Sequence, residues 1–554
     1  MLLRDLLNKV DIIACVTDLD MQITGVSCDS RAVRKGELFV AIKGFKSDGH
    51  DFIKQAIDNG AVCVLSERIP ESDNSKAATT GVPYVVTADT RKSLALVAAA
   101  WYGYPAEKLK VVGVTGTNGK TTVTNLIKHM IEICGEDKVG LIGTNMNMIG
   151  DKELPTAFTT PESIEIHRLL AQMVDEGCRY AVMEVSSHAI SLSRVYGITF
   201  EVGAFTNLTN DHLDFHSSLA DYAGVKSKLF SNCRTSAINL DDEYADMMIS
   251  SASDRVMTFA IDDDKADLVA KSVKLHRDKV TFCALTLSDL YRVELRIPGL
   301  FSVYNALTAI SVMLLLGQDI ESIITALKTC TGVKGRAEVV PTEQEYSVII
   351  DYAHTPDALR NIINTVRGFA KGRVVTLFGC GGDRDSSKRP LMGKVVSELS
   401  DFVIVTSDNP RTEAPGKIIE DILQGMKETE TPYFVIENRR EAMQWALINS
   451  QPGDTLILAG KGHETYQIIG KEKTHFDERE VVRDILAEIS KAPSPEESSP
   501  EELPIEESSP EELSADEQLP EEDLTVVSLQ EESFEKETEA KKTSLKEQPG
   551  DKQC

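Results

Sequence analysis

From Lys110 to Thr115 the chain reads as a short, apolar, β-rich run that breaks into a glycine-rich stretch at Gly116. Beyond it Val123, Leu126, Ile127, Met130, Ile131 and Cys134 are spaced as one helix face, and Gly135 supplies a stop. The pattern predicts strand, loop and helix in succession. The order then repeats, with a strand over 138–144, a helix opened by Thr160-Pro161 and closed near Gly177, and strands over 179–185 and 203–208. A second block places strands at 347–354, 373–378, 402–407 and 455–460. Nearer the start, 38–42 reads as a strand, and 50–66 as a helix followed by a strand. Alternation of this kind implies an α/β fold whose parallel sheets are covered by helices. The expected segments are 1–106, 107–337, 338–491 and 492–554.

The last segment separates by composition. Between Ala492 and Cys554 there are 20 acidic residues and 5 lysines, so this stretch holds −15 of a total formal charge of −28. Acidic pairs recur every five residues from Glu496-Glu497 to Glu521-Glu522, interleaved with Ser and Pro. That period fits neither helix nor strand, and the segment has too little apolar surface to offset the entropy of ordering, so a disordered acidic tail is expected. The overall negative charge opposes the phosphate contacts that dominate nucleic-acid binding, and no nucleic-acid partner is expected. No apolar run approaches the ~18 residues of a membrane span. Arg4 and Asp5 interrupt the apolar opening, which argues against a signal peptide. Ten cysteines without a CxxC pair suggest neither zinc nor a disulfide framework, and a reducing, cytoplasmic setting is expected.

The stretch GTNGKTT, Gly116 to Thr122, joins the first strand of the middle segment to its helix. Glycines let backbone N–H groups converge on phosphate oxygens, Lys120 adds a charge toward the β and γ phosphates, and Thr121 can ligate magnesium. ATP is the expected ligand, although Val114 stands where the strict pattern has glycine. Glu184 ends the strand over 179–185, where a carboxylate can hold magnesium or simply cap the strand. Asp211, His212, Asp214 and His216 crowd into six residues, a spacing compatible with a metal site or with a surface loop. Lys226 by itself has the look of a helix-surface lysine. FGCGGDRD, 378–385, imitates a dinucleotide loop but lacks the GxGxxG spacing, so no NAD is assigned and Cys380 reads as a structural thiol.

Taken in order, GTNGKTT, MEVSSH (183–188), FTNLTNDHLDFH (205–216) and YAGVKSKLF (222–230) resemble the Mur ligase family. That family comprises ATP-dependent amide-bond-forming enzymes of bacterial peptidoglycan synthesis. GLFSVYNALTAI (299–310), GRAEVV (335–340), DYAHTPDAL (351–359), DNPR (408–411) and AGKGHE (459–464) extend the likeness over about residues 24–485. The resemblance implies three domains: an N-terminal UDP-substrate-binding domain, a central P-loop ATPase-like parallel sheet and a C-terminal Rossmann-like domain. Within the family, DNPR and CDSRAVRKGELFVAIKG (28–44) are similar to the diaminopimelate-adding members. The implied substrates are therefore a UDP-N-acetylmuramoyl dipeptide and meso-diaminopimelate, with the L-lysine-adding members as the alternative. A catalytically silent ATP-binding scaffold stands as the alternative from another class.

The resemblance also implies roles. Ser30, Thr159, Thr160, Ser187 and Arg194 match positions that hold the UDP-linked dipeptide. ATP falls to Gly116, Thr117, Asn118, Gly119, Lys120, Thr121, Thr122 and Asn305, approached by Arg336 and His354. Lys226 matches a carbamylated lysine, and with Thr121, Glu184 and His212 it would serve two magnesium ions. Lys120, Lys226 and His212 are thus the expected catalytic residues. Arg389, Asp408, Asn409, Pro410, Arg411, Gly460 and Glu464 match the amino-acid site, where Arg411 can pair with the distal carboxylate that lysine lacks.

Overall fold

Leu38 and Val40 pack with Leu3, Leu6, Leu65, Val85, Leu94 and Val97, while the intervening Phe39 and Ala41 pack with Ile53, Ala56 and Val64. Alternate residues of one strand therefore enter two cores, as a sheet covered on both faces requires. In the computed structural model the described residues are 1–491 except 16–17, 45–46, 69–81, 136, 157, 210–217 and 288. The tail expected over 492–554 lies outside them. Among the described residues, the first sheet has five strands in the order Ile12–Cys15, Tyr84–Thr87, Cys63–Ser66, Glu37–Val40, Gly25–Ser27. All neighbours are parallel except the first pair.

Among the described residues the middle sheet has eleven strands, and Lys110–Thr115 lies near its centre between Tyr180–Glu184 and Phe200–Phe205, parallel to both. Its core strands are almost wholly buried, and Val112, Val114, Val182, Val202 and Ala204 face one core while Val111, Ala181, Met183, Phe200 and Phe205 face the other. Burial of each large apolar side chain contributes about 1.5–3 kcal/mol, which fixes strand register, because a slip by one residue would exchange the two faces. The helix Lys120–Gly135 runs as its spacing predicts and buries Val123, Leu126, Ile127, Met130 and Ile131. The sequence pattern did not signal the antiparallel flanks. Leu268–Leu275, Val280–Leu285 and Leu290–Leu295 extend one edge, and Asn147–Ile149 with Lys152–Leu154 the other. The strand expected over 203–208 ends at Phe205, because Thr206 and Asn207 turn to brace the glycine-rich loop.

The third sheet orders its strands Glu338–Val340, Ser347–Asp351, Thr455–Ala459, Val374–Phe378, Phe402–Val405, Tyr433–Val435, with the first pair antiparallel and the rest parallel. In both larger sheets the functional loops leave the carboxyl ends of parallel strands, the customary ligand side of open α/β sheets. Among the described residues no helix is long and apolar enough to cross a membrane.

His167 is 1% exposed inside the helix Ser163–Asp175, and neither ring nitrogen has a hydrogen-bond partner among the described residues. Burial pushes its pKa from 6.5 down to about 4. The unfolded chain therefore takes up the proton first as pH falls, and stability present above 6.5 is lost toward pH 4, by up to roughly 3 kcal/mol. The variant His167→Leu is expected to match or exceed the wild-type midpoint of thermal unfolding at pH 7.5, and to lose less of it at pH 5.0. Calorimetry at the two pH values checks both statements.

Candidate active site

The glycine-rich loop is tied down from the neighbouring strand. Thr117 N–H donates to the Asn207 carbonyl at 2.7 Å, Asn118 N–H to Asn207 Oδ1 at 3.0 Å, and Thr206 Oγ1 to the Asn118 carbonyl at 2.6 Å. Gly116 (φ +145°) and Gly119 (φ +86°) adopt backbone conformations that L side chains rarely reach. A Cβ on Gly116 would strike Thr206 Oγ1, and one on Gly119 would strike Asn305 Oδ1. Asn305, 3% exposed on the helix Leu300–Leu315, thus closes over the loop, and its Nδ2 has no partner among the described residues.

Two lysines converge on one carbonyl. Lys120 Nζ lies 3.0 Å from the Gly116 oxygen and 2.8 Å from that of Thr117, and Lys226 Nζ donates to the same Gly116 oxygen at 2.8 Å. Lys226 is 1% exposed, its ammonium 4.4 Å from the centre of the Tyr222 ring. The helix-surface reading of this lysine is therefore wrong. The helix Leu219–Ser227 buries Tyr222, Ala223, Val225 and Lys226 alike, and the carbonyl and the ring make a buried cation tolerable. The neighbouring expectation for His212 falls outside the described residues.

Glu184 is 1% exposed at the end of its strand. Its carboxylate accepts from Thr121 Oγ1 at 3.0 Å, from the Thr144 amide at 2.7 Å and from Thr144 Oγ1 at 3.0 Å. Thr144 also meets Thr159 at 3.1 Å. Thr160 donates to the Glu184 carbonyl at 2.8 Å and accepts from the Ser186 amide. Arg194 donates to the Thr160 carbonyl at 2.8 Å and pairs with Glu162 at 2.6 Å. Ser187 is buried at the start of the short helix Ser187–Ser191. Ser30 stands apart in the first sheet's domain, bonded to Gln55 at 2.9 Å.

In the third domain, DNPR packs onto the second glycine-rich run. A Cβ on Gly382 would strike the Pro410 carbonyl, one on Gly379 the Thr406 carbonyl, and the Arg411 guanidinium donates to the Gly382 carbonyl at 2.8 Å. FGCGGDRD is thus a bed for DNPR, a role its dinucleotide-like spacing hid. Burial pushes the Cys380 thiol up to about 12. Arg411 itself has φ +52°. Asn409 donates to Glu464 at 2.8 Å and accepts from the Ile468 amide at 2.9 Å. Lys461, fully buried, reaches Asn409 Oδ1 at 3.1 Å and Glu464 at 3.3 Å. Gly460 (φ +114°) lies so close to Asp408 that a Cβ would come within 2.6 Å of its carboxylate. Arg389 is 2% exposed, with its guanidinium held by Glu413 at 2.8 Å and Asp421 at 2.9 Å.

These two sets of loops face one cleft of about 710 Å³. It gathers Thr117 to Thr122, Thr159, Glu184, Arg336, His354, Arg389, Asp408, Asn409, Arg411, Gly460 and Glu464. Gly116, Lys226, Asn305 and Pro410 sit behind its wall, while Ser30, Thr160, Ser187 and Arg194 do not line it. Arg336 lies over the Tyr352 ring at 5.3 Å, and the Tyr352 ring meets those of His354 and His463 at a tilt, with centroids 4.6 and 4.7 Å away. The His463 imidazole is pushed down to about 4 by burial and by the cations Arg336, Arg479 and Lys334.

Comparison with known proteins matches residues 22–102 to the Mur ligase family catalytic domain, 114–313 to the Mur ligase middle domain and 335–462 to the Mur ligase glutamate ligase domain. A UDP-N-acetylmuramoyl-L-alanyl-D-glutamate–2,6-diaminopimelate ligase of Caldanaerobacter subterraneus subsp. tengcongensis is 50% identical over 473 residues, 85% of this chain and 96% of that protein. The chain belongs to the Mur ligase family. Its members are ATP-dependent amide-bond-forming ligases, so both the family and the three-domain α/β fold expected from the motifs are borne out. A ligase of the same name from Clostridium tetani is 43% identical over 491 residues, 88% of this chain and 100% of that protein. A solved structure of a ligase so named is 31% identical and superposes with a TM-score of 0.65 over 89% of this chain and 100% of that one.

Sequence reasoning passed over Thr144, Asn207, Tyr352 and Lys461. Thr144 is an ordinary loop residue with no motif of its own, whereas Asn207 lies inside FTNLTNDHLDFH and Tyr352 inside DYAHTPDAL. Lys461 lies inside AGKGHE, and its position between two glycines in a polar motif was the signal available. Gly119→Ala would force a collision with Asn305 at an unfavourable φ. It is expected to weaken ADP binding at least tenfold by titration calorimetry while leaving the far-ultraviolet circular dichroism unchanged.

Proposed function

We propose that this Mur ligase adds meso-diaminopimelate to UDP-N-acetylmuramoyl-L-alanyl-D-glutamate at the expense of ATP, in the cytoplasm, as a step of peptidoglycan precursor synthesis. The observation that carries the reading is the single cleft shared by the phosphate loop and Arg411. A glutamate carboxylate is a poor electrophile, and transfer of the γ-phosphoryl group converts it to an acyl phosphate. The amine then attacks the acyl carbon, the tetrahedral adduct collapses, and phosphate leaves as the amide forms. Phosphoryl transfer requires positioning and charge neutralisation more than covalent help from the protein.

In this reading Lys120 moves from the loop carbonyls it holds to the phosphates. The loop amides and Asn305 fix the nucleotide, and Arg336 and His354 approach it from the third domain. Thr121 and Glu184, two oxygen donors 3.0 Å apart at the loop, suit magnesium and would hold one ion. Lys226, as a carbamate, and His212 would hold a second. Carbamylation replaces the ammonium by an anionic oxygen ligand and retains one N–H for the Gly116 carbonyl. Magnesium bound there would offset phosphate charge. Ser30, Thr159, Thr160, Ser187 and Arg194 would hold the UDP-linked dipeptide.

For the amine, Glu464 would receive an ammonium group, with Asn409 and Lys461 orienting its carboxylate. Asp408, Pro410, Gly460 and Arg389 would shape the surrounding wall. Arg411, fixed by its bond to the Gly382 carbonyl, would use the rest of its fork for the distal carboxylate of diaminopimelate.

ADP release with the UDP-dipeptide and either meso-diaminopimelate or L-lysine tests the reading. Strong preference for diaminopimelate is expected, with Arg411→Ala losing at least 100-fold in kcat/KM for diaminopimelate and little for lysine, about 3 kcal/mol of a charge-assisted contact. Preference for lysine would keep the ligase and reject the role of Arg411, and turnover with neither would leave an ATP-binding scaffold. Lys226→Ala is expected to lower kcat at least 100-fold with partial rescue by formate or acetate, and full activity without rescue would reject the carbamate.

A further inference from the structure

Arg479 lies on the helix Glu478–Lys491, outside every motif of the candidate site. Its guanidinium makes a two-pronged pair with Glu338, Nε at 2.9 and 3.0 Å and Nη2 at 2.8 Å, in the strand that opens the third sheet. The same Nη2 donates to the Gly462 carbonyl at 2.8 Å, and Nη1 to Asp477 at 2.8 Å. Glu338 in turn accepts the Gly335 amide at 2.6 Å. One side chain thus ties the crossover into the third domain to the AGKGHE loop.

The contact between those segments is backbone on backbone. Gly335 (φ +71°) lies so near Gly462 and the His463 nitrogen that a Cβ would collide with both, and Gly462 (φ +53°) lies as near Tyr352. Two further contacts continue the line. Asn145, next to Thr144 on Glu184, donates to the Lys334 carbonyl at 3.0 Å, and Lys334 pairs with Asp477 at 3.5 Å. Arg336 sits in the middle of the clamped stretch, and Glu464 lies two residues beyond Gly462.

We infer that Arg479 is a positioning residue that sets Arg336 and Glu464 in mutual register, so that nucleotide and amine are presented to each other across the cleft. The planar fork spreads parallel donors over the Glu338 carboxylate while another N–H holds the Gly462 carbonyl, a fixed geometry that the single ammonium of a lysine reproduces only in part. Small displacements of aligned groups are costly in rate, so the clamp acts on turnover and on the amine rather than on the UDP-substrate, whose expected contacts lie elsewhere. The inference rests on the proposed ligase function.

Steady-state ADP release by the full chain, with Arg479→Gln, Arg479→Lys, Glu338→Gln and the exposed-helix control Arg483→Gln, tests it alongside amide hydrogen exchange. Arg479→Gln is expected to lower kcat at least tenfold and to raise KM for the amine several-fold, with KM for the UDP-dipeptide within twofold. Arg479→Lys should recover part of kcat, Glu338→Gln should behave as Arg479→Gln does, and the double variant should be no worse than either, as residues acting through one contact require. Exchange over 334–338 and 460–466 should rise at least tenfold, with 116–122 unchanged. Folded variants with kcat and amine KM within twofold of wild type, or with every KM raised alike, would overturn the clamp. Should wild type turn over neither amine, the ligase reading fails and exchange alone decides: unchanged protection in Arg479→Gln, or in Glu338→Gln if the former does not fold, would overturn the clamp as well.

Discussion

The Gly116 carbonyl accepts from two buried or half-buried lysines, and the middle domain is arranged around that convergence. A loop that presents its amides to phosphate must point carbonyls elsewhere, and those carbonyls need donors inside the protein. Lys226 and Lys120 supply them at Gly116, while Thr206 supplies one at Asn118. The adjacent strand Phe200–Phe205 must therefore stop in time for Thr206 and Asn207 to turn, and the helix Leu219–Ser227 must bring a lysine inward rather than outward. The same congestion excludes any side chain at 116 or 119.

The third domain repeats the principle with different chemistry. Its second glycine run is a surface shaped to the backbone of DNPR rather than a cradle for phosphate. Asn409 is spanned by Lys461, Glu464 and Ile468, so the polar wall of the cleft is braced from behind before any ligand arrives. Preorganisation of this kind spares a ligand the cost of ordering its site.

Strong periodicity made the central fold legible: the helix Lys120–Gly135, the strands at 110–115, 347–351, 374–378 and 455–459, and the glycine loop between two of these elements. The antiparallel flanks were hidden because short, half-exposed strands such as Leu290–Leu295 and Lys152–Leu154 lack a pattern distinct from polar loops. Lys226 was misjudged from its residue type alone, since burial of a lysine depends on partners 110 positions away in sequence. Only the ordered string of motifs drew it into a functional set. Thr144 and Arg479 carry no spacing signal, as their importance arises from contacts between segments that are remote in the chain.

Lys461, Asn409, Arg411 and Glu464 hold one another within the third domain, with hydrogen bonds that close on that domain's own loops. Under the function proposed, the choice of amine is consequently modular. A graft of the region following Gly335 from a relative with another amine preference would carry its own recognition surface together with its counterparts of Arg336 and His354, and it would have to be matched to the middle domain where Gly335 meets Gly462 and Lys334 meets Asp477. Chimeras cut there would exchange what is joined without altering how it is activated.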